Sequence, residues 1–167
     1  MEAFEVGLIL SGREMSLTMR VLGLAPPEEL AIPQAEDGDD EAFRSLEASG
    51  LMIRDERRLA VDRGLARLIE ALCRREWALT VSSLARSRTA FGGGGSCVVL
   101  EGLSGGGFLL TPFPSAREAL DAMAAELDEE QGALRACLTG AQSFELTLSA
   151  GEMRGFLAEA LTRTVEG

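Results

Sequence analysis

The run from Ser96 to Phe113, SCVVLEGLSGGGFLLTPF, limits the fold more than any other stretch of this chain. Two strand-like segments are separated only by Ser104-Gly105-Gly106-Gly107. So short a connection cannot cross a sheet, so the segments pair as antiparallel neighbours. Upstream, WALTVSSLA alternates with Trp77, Leu79 and Val81 on one side, as a half-buried strand does. The pattern predicts a three-stranded meander over Trp77–Ala85, Ser96–Leu103 and Gly107–Phe113. An earlier glycine cluster, Gly92–Gly95, then falls in a flexible loop.

Glycine clusters also occur in phosphate cradles. Such a cradle needs glycine-freed N–H groups leading into a helix N-terminus. Both clusters here lead into strand-like runs, and the chain has no Lys to complete a phosphate loop. They are therefore read as turn glycines.

The missing residue types exclude more. His and Tyr are absent, and all 16 basic residues are Arg. That removes Ser-His and Cys-His nucleophile pairs, histidine metal ligands and Schiff-base chemistry. Cys73, Cys97 and Cys137 lie far apart with no CxxC spacing, so neither a disulfide framework nor a cysteine metal site is expected. The acids Glu36-Asp37-Gly38-Asp39-Asp40-Glu41 lack the spacing of a calcium loop. No catalytic, cofactor or metal residue is assigned. A carboxylate-only hydrolase is the remaining enzymatic option.

The 167 residues predict one α+β domain, with possible subdomains at 1–76, rich in helix and hairpin, and 77–167, sheet plus C-terminal helices. FEVGLIL (4–10) reads as a strand. Ser11 and Glu14 form a capping box for a helix over Gly12–Leu22, which Gly23 stops. Residues 24–41 hold three of the five prolines and a dense acid run, and read as loop. Asp39 or Asp40 caps a helix ending at Gly50. LMIR and RLAV then form a small hairpin, giving a winged-helix-like helix–hairpin unit. Asp62 caps a helix with the stripe Leu65, Leu68, Ile69, Leu72 and Cys73. After the meander, Ser115 and Glu118 open a helix to about Leu127. A second helix is expected over Glu130–Leu138. SFELTLS is a strand, and a helix with the stripe Met153, Phe156, Leu157, Ala160 and Leu161 closes the chain. The expected architecture is an antiparallel sheet of three to five strands with helices on one face. FEVGLILSGREM near the start echoes FELTLSAGEM near the end.

Net charge is −11, which disfavours nucleic acid and anionic membrane as partners. The charge is polarised: Arg54–Arg88 is rich in Arg, whereas Glu28–Glu47 has Arg44 as its lone cation. DNA binding through the helix–hairpin unit is opposed by Asp39, Asp40, Glu41 and Glu47 on the would-be recognition helix. Acids near the N-terminus, and no apolar run near the ~18 residues that span a bilayer, predict a cytoplasmic protein. Aromatic and apolar residues beside the glycine turns make Phe91, Gly93, Gly94, Leu103 and Phe108 the candidate partner-binding set.

Residues 12–113 resemble the EspG family in element order. The carrying text is LEASGL (Leu46–Leu51), the hairpin Met52–Val61, LARLIEAL (Leu65–Leu72) and ALTV (Ala78–Val81). The resemblance implies a cytosolic chaperone of an actinobacterial type VII secretion system. It implies two related α+β halves about a pseudo-twofold, and binding of helical secretion substrates. The expected function is a non-enzymatic chaperone or adaptor with a protein partner and no cofactor, and a homodimer is an open possibility. The alternative is a winged-helix transcriptional regulator with a sensing domain.

Overall fold

The computed structural model describes residues 7–161, apart from 31, 33–37, 85, 95, 128–132 and 141. The start of the expected first strand (4–6) and part of the acid run lie outside the described residues. In chain order, β1 (Leu8–Ser11) leads into α1 (Gly12–Leu22), followed by α2 (Asp39–Ala48). The hairpin β2 (Met52–Asp55) and β3 (Arg58–Val61) precedes α3 (Arg63–Cys73). Four successive strands follow: β4 (Trp77–Ser82), β5 (Ser87–Gly93), β6 (Ser96–Gly102) and β7 (Gly107–Phe113). The chain continues through α4 (Ala116–Ala125), β8 (Leu134–Thr139), β9 (Phe144–Leu148) and α5 (Ala150–Gly155), which widens into a π-helical segment, Phe156–Leu161.

The fold is α+β, as expected, but the sheet is larger. Among the described residues seven strands run in the order β1-β7-β6-β5-β4-β8-β9, each antiparallel to its neighbours, and β2–β3 forms a separate two-stranded ribbon. β1, from the N-terminal segment, pairs with β7 along Leu8–Ser11, so it is an edge of the same sheet as the meander.

The meander has four strands, not three. β5 escapes a periodicity search because Ala90 and Phe91 are adjacent and both fully buried, on opposite faces. A strand covered on both sides shows no polar alternation. Gly92 and Gly93 belong to this strand, pairing with Cys97 and Ser96. The connection is thus two residues, a tight hairpin rather than the flexible GGGG loop of the sequence reading. Trp77 pairs across from Gly92, and its indole lies on the bare backbone there. A Cβ at Gly92 would come within 2.1 Å of the ring.

Helices cover both faces of the sheet, not one. On the first face Leu10, Phe91, Val98, Leu100 and Leu110 meet Met15 and Met19 of α1 and Leu65, Leu68, Ile69 and Leu72 of α3. On the second face Leu79, Ala90, Cys97, Val99, Ala136 and Leu138 meet Leu120 and Met123 of α4, Met153 of α5, and Leu157 and Leu161 of the π-helical segment. Consecutive strand residues point to opposite faces, so β5 and β6 feed both cores.

Most local signals hold. Ser11 and Glu14 form a reciprocal capping box on α1, and Gly23 closes it in the left-handed region. The Asp62 carboxylate accepts hydrogen bonds from the N–H groups of Gly64 and Leu65. At α4 the Ser115 hydroxyl accepts from Glu118 N–H, and the helix ends at Ala125, short of Leu127. Two helix expectations fail. α2 is preceded by Gly38 with no side-chain cap; Asp39 is already inside the helix, bound to Arg20. Residues 134–139 form β8, not a helix, because Leu134, Ala136 and Leu138 alternate onto the second core while the backbone pairs with β4 and β9.

The sequence echo has a structural counterpart. Ser149 and Glu152 form a second reciprocal capping box, and Met15 and Met153, each one residue beyond the box Glu, are fully buried. The two strand–box–helix units occupy opposite edges of the sheet and send their helices to opposite faces. β1 and β9 run in the same direction, as the first and last of seven alternating strands must. In strand order, direction and helix face, the two units are related as by a half-turn about the central strand β5.

Gly92→Ala tests the Trp77 contact. The added methyl group must displace the indole, and unfolding free energy is expected to fall by about 1–3 kcal/mol in denaturant titrations. Gly102→Ala, which meets nothing within 4 Å, is expected to stay within about 0.5 kcal/mol of the parent. Equal effects at the two sites would contradict the packing described.

Candidate functional site: the groove at the C-terminal end of α3

α3 lies over β5 and β6 because its stripe Leu65, Leu68, Ile69 and Leu72 faces the first core. Past its last turn, Arg74, Arg75 and Glu76 carry the chain down to β4, beside the β5–β6 hairpin. Glu76 N–H donates to the Gly92 carbonyl at 2.8 Å, which fixes this junction to the hairpin. The result is an open groove of about 430 Å³. Leu68, Ala71, Val98, Pro112 and Phe113 supply its apolar lining and Gly93, Gly94 and Ser96 the hairpin wall, while Arg67, Arg74 and Arg75 and the acids Glu70 and Glu76 carry its charges. Arg67 and Arg74 are exposed and form no ion pair among the described residues. They sit seven residues apart on α3 and its end, about 10 Å along the axis.

Arg75 is engaged on its other side. Its Nη2 lies 2.8 Å from Glu29 Oε1 and 2.6 Å from Oε2, and the Thr139 hydroxyl donates to Oε1 at 2.6 Å. This cluster ties the loop before α2 to the end of β8, across 110 residues of sequence. A second cavity of about 430 Å³, lined by Glu28, Glu29, Glu76, Trp77 and Gly140, opens beside it. Burial pushes the Glu29 carboxyl up, but the hydrogen bonds from Arg75 and Thr139 outweigh it and hold the group below its ordinary value. Arg75 Nε and Glu29 Oε2 are buried without a well-angled hydrogen bond.

Burial pushes the Cys97 thiol up to about 12, and burial also raises that of Cys73, so neither is a ready nucleophile. Among the described residues no cluster of His, Cys, Asp or Glu is placed to hold a metal ion. Four charged groups beside the second face are spent on one another: Arg86, just before β5, bonds Glu101 of β6, and Arg88 Nη2 lies 2.5 Å from Glu126 at the end of α4. On α2 the Arg20 guanidinium holds Asp39 below its ordinary value and pairs with it, and Asp40 and Glu41 keep the first turn acidic. Among the described residues no helix is long and apolar enough to cross a membrane.

The five residues expected to bind a partner do not converge. Gly93 and Gly94 line the groove. Phe91, one residue before the glycines, is 1% exposed in the first core, because it points under α3 rather than out of the hairpin. Leu103 and Phe108 flank the β6–β7 hairpin, at the other end of the strands, and Phe108 packs against the first core. Sequence reasoning missed Arg67, Arg74, Pro112 and Phe113. The one available signal was the pair of Arg seven apart on an amphipathic helix. No protein-family model matches the chain, and no curated protein matches it.

The Glu29 cluster yields a pH prediction. A depressed carboxylate stabilises the fold above its ordinary value and loses that contribution as pH falls through its lowered folded value. Glu29→Gln is expected to cost about 1–3 kcal/mol at neutral pH. The gap between parent and variant melting curves should close on acidification below the carboxylate range. A gap of constant size at all pH values would show that the charge of Glu29 contributes nothing.

Proposed function

We propose that the protein is a non-enzymatic, cytoplasmic chaperone or adaptor that holds a segment of a protein partner in the groove between α3 and the β5–β6 hairpin. The observation that carries this is the groove's composition: an apolar lining with two exposed guanidiniums, Arg67 and Arg74, that have no ion-pair partner among the described residues although Glu70 and Glu76 share the lining. Apolar side chains of a partner would fill the floor, while its acids meet Arg67 and Arg74. The guanidinium suits such contacts because it gives up its hydration readily and binds carboxylates in two-pronged geometry.

The partner class follows from the EspG-like element order, which points to a helical substrate of a type VII secretion system. The half-turn relation between β1–α1 and β9–α5 supports that resemblance, since the family plan implies two related halves. The winged-helix regulator alternative gains no support from the acidic first turn of α2.

The test is partner capture from the native host by the parent and by a charge-reversed Arg67→Glu/Arg74→Glu variant. The parent should retain a stoichiometric protein that the variant loses. With that partner purified, reversal should weaken binding by about tenfold or more at low salt, and by less at high salt. Equal retention by parent and variant would reject the groove as the docking site.

A further inference from the structure

We infer that β9 is a self-pairing edge, through which two copies of this chain join their sheets into one. β9 ends the seven-stranded order, so the backbone groups on its outer side have no strand partner among the described residues. Sheets commonly guard such edges with Lys, Pro, a bulge or an inward charge. β9, Phe144-Glu145-Leu146-Thr147-Leu148, has no Lys, Pro, bulge or inward charge, and Glu145 is its one charged guard. Its pairing with β8 runs without interruption from Phe144 to Leu148, so the strand is regular along its length. Its one charge, Glu145, faces the helix-free side and is bound to Arg135 at 2.6 Å.

The strand complements itself in one register. An antiparallel pair of β9 strands about a twofold through Leu146 sets Leu146 opposite Leu146, Phe144 opposite Leu148, and Glu145 opposite Thr147. Directly opposed residues share a face, so Phe144, Leu146 and Leu148 all stay on the second, helix-bearing face. No like charges oppose each other. Leu146 is 36% exposed although it points to the helix side, and the symmetric pair would cover it. Phe144 already packs edge-on against Phe156, with ring centroids 5.6 Å apart, so the margin of the second core is apolar up to this edge.

The opposite edge is a poorer template. β1 has four residues and is entered through Gly7 at φ 95°, which ends the extended backbone there. The groove stands apart from β9, with β4 and β8 between β9 and the β5–β6 hairpin, so a joined pair would leave both grooves open. The inference is independent of the function proposed above.

Sedimentation equilibrium across the micromolar range tests it. The parent should reach twice the 17.7 kDa chain mass. Leu146→Lys sets like charges face to face on the symmetry axis and should weaken association by about tenfold or more, with an unchanged circular dichroism spectrum. Ile9→Lys, on the other edge, should leave the dimer intact. Register is read by cysteine. Leu146→Cys should form an intermolecular disulfide under mild oxidation, because directly opposed Cα atoms in antiparallel strands lie within disulfide range, about 4.5–5.5 Å. Thr147→Cys, displaced from its own copy, should not. A monomeric parent, a dimer broken by Ile9→Lys but not by Leu146→Lys, or crosslinking by Thr147→Cys in place of Leu146→Cys would each overturn the inference.

Discussion

Burial of β5 and β6 on both faces is the constraint on which the rest of the structure depends. Ala90 and Phe91 point opposite ways, and so do Cys97 and Val98, yet all four are buried. A one-residue slip of either strand would exchange the two cores, so the register is held from both sides at once. The tight hairpin between them follows from that register. Trp77 then caps the hairpin end by lying on Gly92, and this sets where β4 begins and where the end of α3 must stop. The groove is a consequence of these placements.

The helices cover the sheet asymmetrically. α1 and α3 shield the first face over β1, β5 and β6, whereas α4 covers the second face over β5, β6 and β7 and α5 lies against β9. On the first face of β8 and β9 this leaves a polar surface, with Arg135, Glu145 and Thr147 exposed. A chain with 26% charged residues can solvate that surface while still filling two cores.

Much of this was legible in the sequence where one residue decides one local bond. The Ser11–Glu14 box, the Asp62 cap, the 52–61 hairpin and the stripe of α3 all depend on short-range chemistry. What stayed hidden depends on what covers a segment. Helices on both faces erase the alternation that would have marked β5 and the count of seven strands. GALRACLT offers spacings that suit a helix as well as a strand, and the ladders to β4 and β9 decide between them. The groove was half legible. Gly93 and Gly94 were singled out as turn residues beside an aromatic, but Phe91 faces inward, and the Arg that complete the site belong to a helix distant in sequence.

Site-directed photo-crosslinking in the native host addresses the claim that the groove is where a protein partner sits. A photoreactive side chain at Ser96, exposed on the groove wall, should yield one discrete adduct with a protein other than this chain. The same group at Thr147, on the helix-free face of β9, should not yield that adduct. If Ser96 gives no heterologous adduct, or if Thr147 gives the same one, the groove is not the docking site.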